Sequence, residues 1–161
     1  MSEISIRPIR PADDPAISRI VTDVLAEFGG CGPGFSTEDE EVRAMSTFYS
    51  KPGAAYFVAE IDGAIAGGAG IGPLAGGDAD VCELRKMYLQ TSARGLGLGL
   101  RLLETCLQAA RDRGYRTCYL ETLANMDRAR DLYERFGFLP LEAPMGDTGH
   151  FGCNRWYALN L

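Results

Sequence analysis

The chain has one histidine, His150, and one tryptophan among 161 residues. A histidine-rich metal site is thereby excluded, and a Ser-His-Asp triad would depend on that single imidazole. The five cysteines (Cys31, Cys82, Cys106, Cys118 and Cys153) are odd in number and never spaced C-x-x-C, which argues against a disulfide framework and a zinc site. Free thiols in a reducing compartment follow. Excess positive charge is missing as well: 16 Lys and Arg against 22 Asp and Glu leave a formal charge of −6, the reverse of a nucleic-acid footprint. No window approaches the roughly eighteen uninterrupted apolar residues of a membrane span, and "MSEISIRPIRPADD" has no signal-peptide core. The expectation is a cytoplasmic protein with neither nucleic-acid nor membrane partners.

What is present, 46% hydrophobic residues over a length common for one domain, suffices for a core, and a single domain over residues 1–161 is expected. "EISIRPIR" sets Ile4, Ile6 and Ile9 among charged residues and stops at Pro11, as a half-buried strand does. Asp13 or Asp14 can cap a helix with Pro15 in its first turn, whose apolar positions Ile17, Ile20, Val21, Val24, Leu25 and Phe28 end at Gly29-Gly30. Ser36 with Asp39 can cap a second helix running to about Ser50. Asp62-Gly63 suits a tight hairpin between two strands. "ADVCELRKMYL" supplies a longer strand, and Gly99, Leu102, Leu103, Cys106, Leu107 and Ala110 mark a helix ending at Gly114. "RTCYLET" is the next strand, "NMDRARDLYERFG" a helix with Asn125 near its cap, and two last strands lie at about 138–142 and 154–159. The order β-α-α-β-β-β-α-β-α-β-β gives an α+β fold with a mixed, mostly antiparallel sheet.

"ARGLGLGL" sits between a strand and a helix, where successive backbone N–H groups can converge on an anion at the helix N-terminus. The dinucleotide fingerprint fails, because Leu100 and Leu102 stand where it needs glycine, and no Gly-Lys-Ser/Thr follows for a Walker loop. From spacing alone the stretch is either a phosphate cradle or a glycine-rich turn.

Arg94-x-x-Gly97-x-Gly99 resembles the pyrophosphate-binding R/Q-x-x-G-x-G/A signature of the Gcn5-related N-acetyltransferase (GNAT) family. "NMDRARDLYERFGF", with Asn125, Ala129, Tyr133 and Gly137-Phe138, is similar to that family's second acetyl-CoA segment. The resemblance covers nearly the whole chain, the first fifty residues by pattern only. It implies a GNAT-like sheet with helices on both faces and acetyl-CoA as cosubstrate without a metal. It also implies direct transfer to the primary amine of a small-molecule or amino-acid-like acceptor, and a homodimer. The implied donor contacts are Met87, Tyr88 and Leu89 on the strand, Arg94, Gly95, Leu96, Gly97, Leu98 and Gly99 in the cradle, and Asn125 and Ala129 beyond.

The implied catalytic residues are Glu83 and Tyr133. Glu83 resembles the base glutamate of the histone-acetylating branch; it serves either as base for the attacking amine or as a plain ion-pair partner of Arg85. Tyr133 matches the tyrosine that protonates the departing CoA thiolate. Phe28, Phe35 and His150 are the candidates at the acceptor end, with His150 open as acceptor ligand, alternative base or turn residue. "GGCGPGFST" is either a mobile rim there or a simple loop. The alternative function is a non-catalytic acyl-CoA-binding module.

Overall fold

The computed structural model describes residues 1–35 and 39–161. Strand β1 (Ile4–Pro8) leads through a 3-10 turn (Pro11–Asp13) into helix α1 (Asp14–Glu27). The helix buries Ile17, Ile20, Val21, Val24 and Leu25, the stripe its spacing dictates. Neither Asp13 nor Asp14 caps it through a side chain. Both carboxylates have other partners: Asp13 accepts from the Arg7 guanidinium and the Arg10 N–H, while Asp14 accepts from the N–H and hydroxyl of Ser46.

The second helix is much shorter than its caps suggest. Among the described residues it is a 3-10 turn (Glu40–Arg43) and a single α turn, α2 (Met45–Phe48); Ser36, the expected cap, lies outside the described residues. Asp39 and Glu41 are held to Lys86 on the sheet, while Val42, Met45 and Tyr49 turn into the core. A continuous helix does not meet both demands, and the chain breaks at Ala44 with φ −143°.

Strands β2 (Ala55–Ile61) and β3 (Ala64–Pro73) form the hairpin, with Asp62 at φ 51° and Gly63 at φ 81° as a type I′ turn requires. Strand β4 (Val81–Leu89), helix α3 (Leu98–Asp112), strand β5 (Thr117–Thr122), helix α4 (Asp127–Phe136) and strands β6 (Leu139–Leu141) and β7 (Arg155–Asn160) complete the chain. The strands form one seven-stranded sheet in the order β1-β2-β3-β4-β5-β7-β6, antiparallel except between β4 and β5. Side-chain alternation sends Ala59, Ile71, Cys82, Leu84, Cys118 and Leu120 into the core with α3 and α4, and Tyr56 and Val58 into the core with α1. Helices therefore cover both faces, as the family resemblance implied.

Two local features shape the middle of the sheet. The register of β3 with β4 shifts between Gly68 and Gly70, opposite Lys86, whose φ of 48° marks a bulge that the Tyr56 hydroxyl steadies by donating to the Lys86 carbonyl at 2.7 Å. On one face of β3, Gly68, Gly70 and Gly72 leave no room for side chains: added Cβ atoms would lie 2.5 Å from the Tyr56 ring at Gly68 and Gly70, and 2.8 Å from the Arg85 guanidinium at Gly72.

Candidate active site

Pairing of β4 with β5 covers only Val81–Glu83 against Thr117–Tyr119, although β4 continues to Leu89 and β5 to Thr122. From Glu83 onward the two central strands leave a seam between them. Around the far end of β4, the start of α3 and the inner face of α4 lies a cleft of about 960 Å³.

The glycine-rich turn forms one wall of this cleft. Gly95 and Gly97 both take φ 79°, and Gly97 is the residue from which α3 starts. The first N–H to bond within the helix is that of Arg101, to the Gly97 carbonyl at 3.2 Å, so the amides of Leu98, Gly99 and Leu100 are left for another acceptor. That is the anion site which the helix dipole favours.

Met87, Tyr88, Leu89, Arg94, Gly95, Gly97, Leu98, Gly99, Asn125 and Ala129 all line the cleft. Leu96 does not, and its side chain is 52% exposed. Phe28, expected at the acceptor end, is on this cleft instead, with the Arg94 guanidinium 5.6 Å above its ring. Arg94 is itself engaged, donating to Glu27 at 2.6 and 2.9 Å and to the Leu89 carbonyl at 3.1 Å. Asn125 does not cap α4; its amide donates to the Phe28 carbonyl at 3.0 Å and bridges α1 to α4. Arg128, which no sequence motif singles out, also lines the cleft beside Gly95.

Tyr133 lines the inner part of the cleft, 5% exposed, between Phe138 and Tyr157. Burial raises its phenol well above the ordinary range, so it stays protonated. No hydrogen bond to its hydroxyl is found among the described residues, which leaves the proton for a ligand.

Glu83, 4% exposed, is where the two strands part. Its carboxylate accepts from Arg85 Nε at 2.9 Å, so the ion-pair reading is realised, but burial still raises the carboxyl above its ordinary value. The nearby Glu121 adds to that rise, and Arg85 and His150 oppose it. A carboxyl placed this way takes up a proton more readily than a solvated one.

His150 reaches the same group. Its Nδ1 bonds Glu121 at 3.2 Å and its Nε2 bonds Asp39 at 2.9 Å, so the ring donates through both nitrogens as an imidazolium. With no lone pair to offer, it fits a clasp between the loop before β7 and the segment before α2, and not a base. Burial works against the charge, but the bonds to Asp39 and Glu121 outweigh it and raise the imidazole to about 9. The stabilising contribution is complete below the ordinary 6.5 and is lost as pH rises through about 9. Thermal unfolding midpoints are expected to fall over that range for the wild type and to flatten for His150→Gln; parallel curves would show no proton-linked clasp.

The same two loops meet elsewhere. Gly152 N–H donates to the Gly34 carbonyl at 2.8 Å, the Phe151 ring lies on Gly34, and the Phe35 ring lies on Gly152. Phe35 is thus part of the loop contact rather than of a bare acceptor wall. Lys86, with its side chain 1% exposed, bonds Asp39 at 2.7 Å and Glu41 at 2.9 Å. The Tyr49 hydroxyl is buried beside Glu41 and Arg85, without a partner at hydrogen-bond geometry among the described residues.

Asp39, Lys86, Glu121 and Tyr49 are the residues of this end that sequence reasoning missed. No local motif marks them; the i, i+2 glycines of β3, over which the Tyr56 ring and the Arg85 guanidinium pack, are a signal that the sequence reading did not use. Glu83, Glu121 and His150 also have ligand atoms within 4.8 Å of one another, a composition that could hold a cation. Each is already hydrogen-bonded, and a cation would have to displace the imidazole protons first. Four of the five thiols do not offer a nucleophile: Cys82, Cys106 and Cys118 are buried, and burial raises Cys153 to about 12.

A mixed sheet whose central strands part toward a glycine-rich helix N-terminus offers a cleft suited to an anionic ligand. The model of the Acetyltransferase (GNAT) family matches residues 21–138. The chain is 40% identical over 149 residues to the uncharacterised N-acetyltransferase YjgM of Escherichia coli K12, covering 92% of this chain and 89% of that one. It is 31% identical over 143 residues to an uncharacterised N-acetyltransferase of Schizosaccharomyces pombe, covering 88% and 86%. The yncA protein of Salmonella typhimurium, solved with acetyl-CoA, superposes with a TM-score of 0.78 at 19% identity over 98% of this chain and 93% of that one, a likeness of fold. The chain belongs to the GNAT family and is an acetyltransferase. No helix among the described residues is long and apolar enough to cross a membrane.

Proposed function

We propose that the chain acetylates the primary amine of a small-molecule or amino-acid-like acceptor, with acetyl-CoA as donor, in one direct transfer. The observation that carries this reading is the seam between β4 and β5, which has the buried Glu83 carboxyl at its closed end and the cradle of free amides near its open end. The amides of Leu98, Gly99 and Leu100 suit a diphosphate, with Arg94 and Arg128 at the rim. Arg94 exchanges Glu27 for phosphate on binding, and the open edge of β4 near Met87 and Leu89 orients the pantetheine arm and thioester carbonyl.

An alkylammonium has a pKa of about 10.4 and must lose a proton before it can attack. Glu83 takes up that proton, directly or through a water molecule. As the nitrogen–carbon bond forms and the carbon–sulfur bond breaks, Tyr133 gives its proton to the departing thiolate; the surplus proton of the new amide nitrogen then returns to the Tyr133 phenolate, so that CoA leaves as the thiol and Glu83 holds the one proton released. Tyr49 supplies a further hydroxyl toward the acceptor. No metal takes part in this scheme. The reading extends to a cytoplasmic protein without nucleic-acid or membrane partners, supported by the free thiols and the charge of −6, and to a homodimer by family resemblance.

A screen of primary amines, amino acids and peptides followed by CoA release tests the acceptor class. Release with none of the small amines would overturn it. Tyr133→Phe is expected to lower turnover roughly ten- to a hundredfold, near the foot of the range for general acids, because a thiol of pKa about 8.5 already leaves readily. The apparent constant for acetyl-CoA should stay close to wild type; equal turnover would remove Tyr133 from the chemistry.

A further inference from the structure

Glu83 and Glu121 point from neighbouring strands into one group with His150, and their hydrogen-bond donors are unequal. Glu121, with its side chain 4% exposed, accepts from three: Tyr119 Oη at 2.8 Å, Thr148 Oγ1 at 2.5 Å and His150 Nδ1 at 3.2 Å. Glu83 accepts from one, Arg85 Nε, on Oε1, and its Oε2 has no donor among the described residues. Two carboxylates this close do not ionise alike, and the one with more donors keeps its charge.

We propose that Glu121 is a positioning residue, a fixed anion whose charge makes Glu83 the more basic of the two and so the one that takes up the acceptor's proton. This rests on Glu83 being the base of the proposed transfer. The charged and titratable groups around Glu83 are Arg85 on its own strand, Tyr119 and Glu121 on β5, and His150 and Cys153 on the loop before β7. Of these, Arg85 and His150 favour the ionised form of Glu83, and Glu121 opposes it. The protonation states agree with the geometry: Glu121 is lowered, with burial outweighed by bonds from His150, Thr148 and Tyr119, while Glu83 is raised. Glu121 meets no reacting atom in this scheme; it acts through Glu83.

The test is a carboxyl NMR titration of the whole chain labelled with δ-¹³C glutamate, the Glu83 signal being assigned by its loss in Glu83→Gln. In Glu121→Gln the Glu83 signal should titrate at lower pH than in the wild type, and in Glu121→Asp, which keeps the anion, it should return toward the wild-type position. An unmoved Glu83 titration in folded Glu121→Gln would overturn the proposal. If that variant does not fold, Tyr119→Phe removes one donor from Glu121 and should displace the titration in the same direction by less; no displacement would again overturn it. A moved titration together with undiminished turnover in Glu83→Gln would leave Glu121's effect intact and defeat the base assignment instead.

Discussion

Glu83→Gln should lower kcat/KM for the acceptor by about 10²- to 10⁴-fold at neutral pH, the usual share of a positioned base. The apparent constant for acetyl-CoA should change little, because Glu83 lies outside the cleft that holds the cradle. The substitution is close to isosteric, and the amide oxygen can still accept from Arg85 Nε, so the contact at 2.9 Å need not be lost. What disappears is the ability to take up a proton. The defect should therefore shrink as the assay pH approaches the amine's own value of about 10.4, where the acceptor arrives already neutral. A steady-state pH series checks this, and a wild-type rate at neutral pH would leave Glu83 as no more than a counter-ion for Arg85.

Lys86→Met should be strongly destabilising. The ammonium is enclosed, with 1% of the side chain exposed, and it bonds Asp39 and Glu41 together. Without it Glu41 loses its ammonium partner and Asp39 is left with His150 alone. Breaking such a pair costs about 3 to 5 kcal/mol when both partners are buried, and the lower end applies because Asp39 and Glu41 keep 22% and 13% exposure. For a chain of this size that corresponds to a fall in unfolding temperature of about 6 to 12 °C. Thermal and denaturant unfolding should agree on the loss, and an unchanged midpoint in both would mean that the ion group carries no net stabilisation.

The same residue shows why some of the molecule is legible in the sequence and some is not. Helices α1 and α3, the Asp62-Gly63 turn and the glycine-rich start of α3 are decided within a few residues of where they occur, so spacing and turn chemistry suffice to find them. The second helix escapes such reasoning because its fate is set at a distance: Asp39 and Glu41 answer to Lys86, 47 and 45 residues further on. The site divides in the same way. The lining of the cleft comes largely from two contiguous motifs and is readable as a cluster apart from Leu96, which stays outside it, and Arg128, which no motif marks. The polar cluster beyond it is assembled from Asp39, Glu83, Glu121 and His150, the first and last 111 positions apart in the chain, and its order exists only once the sheet has formed. His150 is visible as a candidate, but its clasp cannot be foreseen without its two carboxylate partners.

The parting of β4 from β5 also bears on how the protein survives between turnovers. A sheet that opens in its middle has two inner edges whose peptide groups lack a neighbouring strand, and such edges invite solvent or another chain. On the proposed reading the donor molecule fills that gap as a surrogate strand. Its binding then adds to folding free energy by mass action, about 2.7 kcal/mol when the free ligand is a hundredfold above its dissociation constant. The cellular supply of acetyl-CoA would in that case set the lifetime of the enzyme as well as its rate.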